Sequence, residues 1–444
     1  MPAWPKVRKF LNDIHLWLGL SSAIIVLLIC LSGTIYVFNT EIREWASPEM
    51  YRVNPTSGSQ RLSAERLIQS VNRQTGGQVT SIKIPSNLYR SYVITVWKTE
   101  KADEKLAVKD AGLAERPEQN SKSLSKSSAG AQGIKVPPAP DRSTNYLVDP
   151  YTGKVLGSSA DKNKVIEFMS LIFSLHRWLL LDRIESPLIG ELPNRKLGSY
   201  ISGTATILFT LGVLTGIIIW FPRKIKSWRN GFTIKWSGNW KRINHDLHNS
   251  LGLYSCLFLL MMGITGPQWS FPWYRESLRK LLGTYQHENA PVPESPKSKL
   301  PASGGNSNPL ILSEYIQSAD KVLSYAGDYT IKFPANSSDA ILLSKTKNGF
   351  FASPASDKVY LDQYTASVLK IEVFNSKPFN ERVSNSIKAI HVGDVYGRFT
   401  KILYFLACLI ATSLPVTGTL IWINKLKKTP TKPVPKFENS EHSI

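Results

Sequence analysis

Residues 244–253 read "NHDLHNSLGL", and residues 12–20 read "NDIHLWLGL". Set in register, Asp13, His15, Gly19 and Leu20 match Asp246, His248, Gly252 and Leu253, while His245 falls opposite Asn12. Each stretch opens into a nearly uncharged apolar run. The match continues inside it, because Gly33 lies 18 residues after His15 and Gly266 lies 18 residues after His248. Ionisable groups at the mouth of a membrane helix are costly and tend to be functional.

Four apolar runs stand out from the 444 residues: 14–38, 199–221, 249–271 and 402–424. At about 1.5 Å per residue each reaches about 35 Å, enough to cross a bilayer core of about 30 Å. The second and fourth runs also resemble each other, with "LTGIIIW" (214–220) against "VTGTLIW" (416–422). The segments between the runs match as well, with "DPYTGKVL" (149–156) against "DQYTASVL" (362–369). The chain therefore reads as two parallel repeats of helix, polar domain, histidine and helix.

Basic residues set the orientation. Residues 1–14, 222–247 and 425–444 together hold 15 Lys or Arg and 4 acids, against 39 and 29 in the rest of the chain. By the positive-inside rule these segments are cytoplasmic. The sequence thus predicts a cytoplasmic N-terminus over 1–13 and transmembrane helices over 14–38, 199–221, 249–271 and 402–424. A basic cytoplasmic loop falls at 222–248 and a cytoplasmic tail at 425–444. Outer α+β domains cover 39–170, with a mobile loop at 101–140, and 272–380. Interfacial segments cover 171–198 and 381–401. In a bacterium of Gram-negative type the outer domains lie in the periplasm, on the inner membrane. The first helix is too long for a cleaved signal peptide and reads as an anchor.

Within the outer parts, "RLSAERLIQSVNRQ" (61–74) and "LSEYIQSADKVLSYA" (312–326) have helical spacing, with Ser63 as an N-cap. "SYVITVW" (91–97) and "YLVDPYTGKVLG" (146–157) read as strands joined by turns. Cys30, Cys256 and Cys408 all fall within apolar runs and fit small buried residues better than disulfides. No G-x-G-x-x-G or Walker loop appears, so nothing is built to hold NAD, flavin or ATP. No nucleic-acid partner is expected; the lipid bilayer is.

Each outer segment leads to one histidine, His176 in "SLHRWLL" and His391 in "AIHVGDVYG". The repeat then gives one histidine pair per membrane face: His15 with His248 inside, His176 with His391 outside. Imidazoles from facing helices can supply both axial ligands of a haem iron. Gly19 lies on the helix face of His15, Gly33 returns to that face 18 residues on, about 27 Å from His15, and Gly252 and Gly266 repeat the pattern. Such gaps admit a flat macrocycle, though small residues also simply let helices pack. The pairing favours two bis-histidine haems over a proton relay or a metal-transport path. Arg177, Arg382 and Arg398 lie near the outer histidines and are candidate propionate partners. His245, opposite a non-ligand, reads as a group that supports the inner site. His287 and His442 read as solvent-exposed.

"HLWLGL", "HRWLLL", "IIIWFPRK" and "DLHNSLGL" resemble the PepSY-associated transmembrane helix family, and the outer segments resemble its PepSY domains. The chain is similar to inner-membrane ferric-siderophore reductases of the FoxB (ferrioxamine reductase) type. That resemblance implies two haem b groups on His15, His176, His248 and His391. It also implies electron transfer from a quinol or cytoplasmic reductase to a periplasmic ferric siderophore. Arg177 and Trp178 follow His176 as the family pattern expects, and Trp220 and Phe221 form its aromatic pair before Pro222. Its basic pair, Arg223 and Lys224, anchors the helix on the inner side. Two other readings stay open: a non-redox PepSY membrane protein that binds peptides or restrains a protease, and a metal transporter.

Overall fold

The computed structural model describes residues 3–55, 58–97, 143–161, 163–221, 228–287, 294–300, 310–350 and 352–427. The loop expected at 101–140, the pair Arg223 and Lys224, most of 291–309, and the tail with His442 lie outside the described residues. The chain forms two compact units. One comprises Met1–Asn39, Ile166–Gln286 and Phe379–Ile444; the other comprises Thr40–Val165 and His287–Pro378.

The first unit is helical. Its long helices are Ala3–Tyr36, Asn194–Trp220, Trp240–Thr265 and Gly397–Leu426. All four are long and apolar enough to cross a membrane. The first packs on the second and fourth, and so does the third. The first and third therefore face each other across the bundle.

These helices begin earlier than the apolar runs that betray them. The first starts at Ala3 rather than at residue 14, because polar residues outside a bilayer can still continue a helix. Arg8, in that added stretch, donates from Nη2 to the Ile219 carbonyl at 2.9 Å, satisfying an orphan acceptor at the C-terminus of the second helix. The third starts at Trp240, where the Asn239 side chain accepts from the Arg242 amide at 3.0 Å. It ends before Pro267, which opens a short 3-10 turn, Pro267–Trp269. His15 and His248 consequently lie inside their helices, not at the first residue. Residues 272–286, read from sequence as part of an outer domain, belong to the helical unit. They carry the helix Pro272–Leu281.

The second unit brings together the two segments expected as α+β domains. It holds one eight-stranded antiparallel sheet, in the order β4-β3-β2-β1-β5-β6-β7-β8. The first segment supplies β1 (Gln78–Ile84), β2 (Tyr92–Trp97), β3 (Ser143–Val148) and β4 (Val155–Ser158). The second supplies β5 (Gly327–Lys332), β6 (Ile341–Lys347), β7 (Asp357–Leu361) and β8 (Val368–Glu372). The halves join where β1 pairs with β5, Ser81 opposite Lys332 and Ile84 opposite Tyr329. Fusing them pairs two edges that would otherwise stand exposed.

One helix precedes each set of strands, Ala64–Thr75 and Leu312–Val322. Ser63 caps the first, accepting from the Arg66 amide. Leu67 and Val71 of one and Tyr315 and Ala319 of the other join Ile82, Ile94, Ile331 and Leu343 in a single core. The alternation of buried residues along β2 and β6 is what a half-buried strand requires.

The matched "D-x-Y-T" stretches fold alike. Asp149 accepts from the Tyr151 amide at 2.8 Å, and Asp362 accepts from the Tyr364 and Thr365 amides at 2.9 and 3.0 Å. Four residues on, the backbone turns left-handed at Gly153 (φ 73°) and at Ala366 (φ 53°). Glycine adopts that conformation freely and alanine only at a steric cost.

Candidate functional site

All four histidines of interest lie in the helical unit, and they meet in two pairs. His15 and His248 come from the first and third long helices, opposite each other in the bundle. Their ring centroids are 6.2 Å apart, with the planes at 77°. His176 sits near the end of the helix Lys164–Trp178, and His391 near the end of the helix Ile387–Val392. Their centroids are 6.3 Å apart, with the planes at 59°.

The short helices that carry the second pair stop sharply. After Trp178, Leu179 and Leu180 take positive φ of 55° and 63°, and Gly393 closes the other helix at φ 78°. Gly198 of the second long helix packs against the Trp178 carbonyl, an approach that a Cβ would block.

Each ring lies against a glycine of another helix. An added Cβ at Gly216 would stand 3.2 Å from His15 Cε1, and one at Gly418 would stand 3.2 Å from His248 Cε1. At Gly33 it would stand 3.1 Å from His176 Cε1, and at Gly266 3.4 Å from His391 Cε1. Gly33 and Gly266 thus lie against the histidines of the second pair. Gly19 and Gly252 touch no histidine. A Cβ at Gly19 would meet nothing within 4 Å, and one at Gly252 only Leu414 Cδ2 at 3.8 Å. Both glycines border a cavity of about 300 Å³, which the rings of His15 and His248 also line. Gly216 and Gly418 were missed from sequence. Their signal lay in the matched "LTGIIIW" and "VTGTLIW", read only as a helix likeness.

Every Nδ1 is hydrogen-bonded. His15 Nδ1 lies 2.9 Å from the Gly212 carbonyl and 3.2 Å from Thr215 Oγ1. His176 Nδ1 lies 2.9 Å from the Ile29 carbonyl and 3.4 Å from Ser32 Oγ. His248 Nδ1 lies 2.9 Å from Thr417 Oγ1, and His391 Nδ1 3.0 Å from Thr265 Oγ1. Burial before all else, then the His176 ring and the Arg177 guanidinium, pushes the pKa of His391 down to about 3. Burial lowers that of His176 too. Both are neutral imidazoles near pH 7, the form that binds a metal.

The two ends differ in their surroundings. Asn12, Asp13, His245 and Lys425 border the cavity of the first pair. His245 is exposed and reaches Asp246 at 3.6 Å, while buried Asp246 holds Arg242 Nε at 2.8 Å and the Lys235 amide at 3.2 Å. His248, not His245, is the ring that meets His15. Beside the second pair, the Trp269 ring stands edge-on to His391 with centroids 4.9 Å apart. Arg177 donates to the Trp269 carbonyl at 3.2 Å, and its buried Nε has no partner among the described residues. Arg382 sits over Phe379, its Nε likewise unpartnered among the described residues, and Arg398 is exposed. Arg177 acts electrostatically on both histidines of this pair. His287 is exposed. The three cysteines are free, and among the described residues no cluster of three or more His, Cys, Asp or Glu side chains could hold a metal ion.

The four histidines thus form two pairs of partly buried rings, each tethered through Nδ1 to one of the four long apolar helices. The family model of the PepSY-associated TM region matches residues 13–425. The chain belongs to that family. The match spans both histidine pairs, all four long helices and both halves of the sheet. Membership makes this a membrane protein whose long apolar helices are its transmembrane part. Among curated proteins, none matches the chain.

Proposed function

We propose that the chain is a di-haem b membrane reductase, built as two parallel repeats with its PepSY-like sheet in the periplasm and both termini in the cytoplasm. In this reading it takes electrons from the quinol pool or a cytoplasmic reductase. It delivers them to a periplasmic ferric siderophore and releases the iron as Fe(II) for uptake.

The observation that carries the reading is the spacing of the rings. Two imidazoles that would hold one iron between them, each at a metal–nitrogen bond of about 2 Å, would have ring centroids roughly 6 Å apart. The distances of 6.2 and 6.3 Å fit that requirement at both pairs. The open wall at Gly19 and Gly252 supports it at the first pair, because side chains there would fill the space a flat ring needs. When bound, haem b supplies a one-electron carrier at each pair.

The residues have distinct tasks. His15 and His248 hold the inner group, and His176 and His391 the outer one. Lys425, at the mouth of the inner cavity, offers a cation to a propionate, and Arg177 does so at the outer pair. The apolar helices exclude water from both. Arg177 also favours the arrival of an electron at the outer pair, since a nearby cation stabilises the more reduced state. The chemistry of the acceptor suits this role: siderophores bind hard Fe(III) through oxygen, and softer Fe(II) is held more weakly, so one electron frees it. The excess of basic residues on the segments flanking His15 and His248 supports the proposed sidedness.

The test is direct. Purified protein, reduced with dithionite and freed of excess reductant, is mixed with a panel of ferric siderophores and a ferrous-specific chelator. The reading expects ferrous complex to form while the haem reoxidises, one electron per iron. Reoxidation by quinones or oxygen, with no Fe(II) from any chelate, would assign the protein to another acceptor.

A further inference from the structure

Each of the four histidines is received by the same two residues, contributed each time by a different long helix. His176 meets Ser32–Gly33 of the first, His15 meets Thr215–Gly216 of the second, His391 meets Thr265–Gly266 of the third, and His248 meets Thr417–Gly418 of the fourth. The glycine lets the ring lie against the helix. The hydroxyl before it touches Nδ1.

We infer that these four Ser/Thr–Gly steps are positioning sites, which fix every histidine as its Nδ1–H tautomer and so leave Nε2 as the free ligand atom. The inference rests on the haem reading above for its consequence, but its geometry stands alone.

A hydroxyl has one proton and two lone pairs. Thr417 Oγ1 donates its proton to helix carbonyls, Ser413 at 3.0 Å and Leu414 at 3.1 Å. Thr265 Oγ1 donates to the Met261 carbonyl at 2.6 Å. Thr215 Oγ1 donates to Leu211 at 3.0 Å and Gly212 at 2.9 Å, and Ser32 Oγ to Leu28 at 2.6 Å. Such back-bonding is the ordinary habit of Ser and Thr within helices. With the proton spent on a carbonyl, the oxygen can only accept, so the imidazole must donate from Nδ1. For His15 and His176 a second acceptor enforces the same result: carbonyl oxygens of Gly212 and Ile29, each at 2.9 Å, cannot donate at all. Among the described residues, no partner holds Nε2 of any of the four rings.

A hydrogen bond from the distal ring nitrogen makes an imidazole a stronger donor to a metal and holds its plane. The hydroxyls should therefore tune affinity and potential at their own pair and nowhere else. Loss of such a partner costs about 10–100-fold in metal-site affinity.

Full-length protein purified with its haems tests this through two substitutions and their conservative counterparts. Thr417→Val should release the inner haem to an apo-globin acceptor about 10–100-fold faster, and should raise the midpoint potential of that haem alone. Thr417→Ser should restore both values. Thr265→Val should do the same at the outer haem, which keeps the test intact if the first variant misfolds. Wild-type protein with two haems, whose retention and potentials are unchanged in both valine variants, would overturn the inference. Haem-free wild type would instead sink the haem reading. The tautomer is then judged by imidazole 15N shifts, where Nδ1–H on the four rings supports the inference and Nε2–H overturns it.

Discussion

The two histidine pairs have nearly equal ring spacing, 6.2 and 6.3 Å, yet they are built differently. His15 and His248 stand on continuous long helices, face each other across the bundle, and border a cavity of about 300 Å³. His176 and His391 stand on short helices that end within two residues, with Trp269 packed edge-on and Arg177 beside them. What the pairs share is a Ser/Thr–Gly step of a long helix against each ring. The element carrying the histidine is free to vary. What varies with it is access and charge: polar Asn12, Asp13, His245 and Lys425 border the cavity at one end, and a half-buried arginine stands at the other.

The largest expected effect breaks the comparison outright. His248→Ala should remove the haem signal of the first pair and leave the second, His391→Ala should do the reverse, and His245→Ala should remove neither, all read by haem stoichiometry and reduced-minus-oxidised spectra. Loss of the first signal in His245→Ala would overturn the assignment of His248.

A smaller effect is expected from the glycines. Gly418→Ala would set a Cβ 3.2 Å from the His248 ring, closer than carbon atoms ordinarily pack, so the ring must shift by a few tenths of an ångström. Partial loss of haem from that pair alone is the expected outcome. Gly19→Ala meets nothing in the protein itself, so it should leave the melting temperature of haem-free protein unchanged while weakening haem retention. Equal retention in Gly19→Ala and wild type would show that the cavity is not where the macrocycle lies.

Charge separates the pairs more finely. Arg177→Gln should lower the potential of the second centre, by on the order of 1 kcal/mol per electron, and leave the first unchanged. Potentiometric titration resolves the two. A shift at the first centre, or none at the second, would remove Arg177 from the account.

The smallest effect lies in the sheet, which serves as a control. Ala366→Gly should relieve a left-handed alanine and raise stability by up to about 1 kcal/mol, seen by chemical denaturation, with both haem spectra untouched. Burial opposes ionisation of Asp362, but hydrogen bonds from the Lys299, Tyr364 and Thr365 amides outweigh it and hold its pKa below the ordinary 3.8. Its contribution to stability is therefore present above that value and lost as the pH falls below it. The Asp362→Asn variant should show a shallower loss in that range.

Much of this was legible in the sequence, for identifiable reasons. Apolar runs reveal membrane-length helices, and the repeat around His15 and His248 picked out His248 over His245 because the helix imposes fixed spacing. The "D-x-Y-T" turns were legible because Asp side chains bond their own backbone locally. Three things were not. The single sheet depends on β1 pairing with β5, some 250 residues apart in sequence, which no local pattern encodes. The true helix starts lie in polar sequence, where hydropathy is blind. The glycine against each histidine ring sits on another helix, so counting along the histidine's own helix did not reach Gly216 and Gly418. A Ser/Thr–Gly step meets a histidine at 32–33, 215–216, 265–266 and 417–418, but the second long helix also carries Ser202–Gly203, which packs on Ser270 and Phe271, so only the fold shows which steps receive a ring.

The proposed reading has each of the two histidine pairs hold one haem iron. It is tested most directly by haem stoichiometry combined with low-temperature electron paramagnetic resonance on the oxidised, purified protein. The account predicts two haems b per chain, both low-spin with bis-histidine ligation, one lost in His248→Ala and the other in His391→Ala. Colourless protein from haem-replete cells, or a single haem that survives both substitutions, would contradict it.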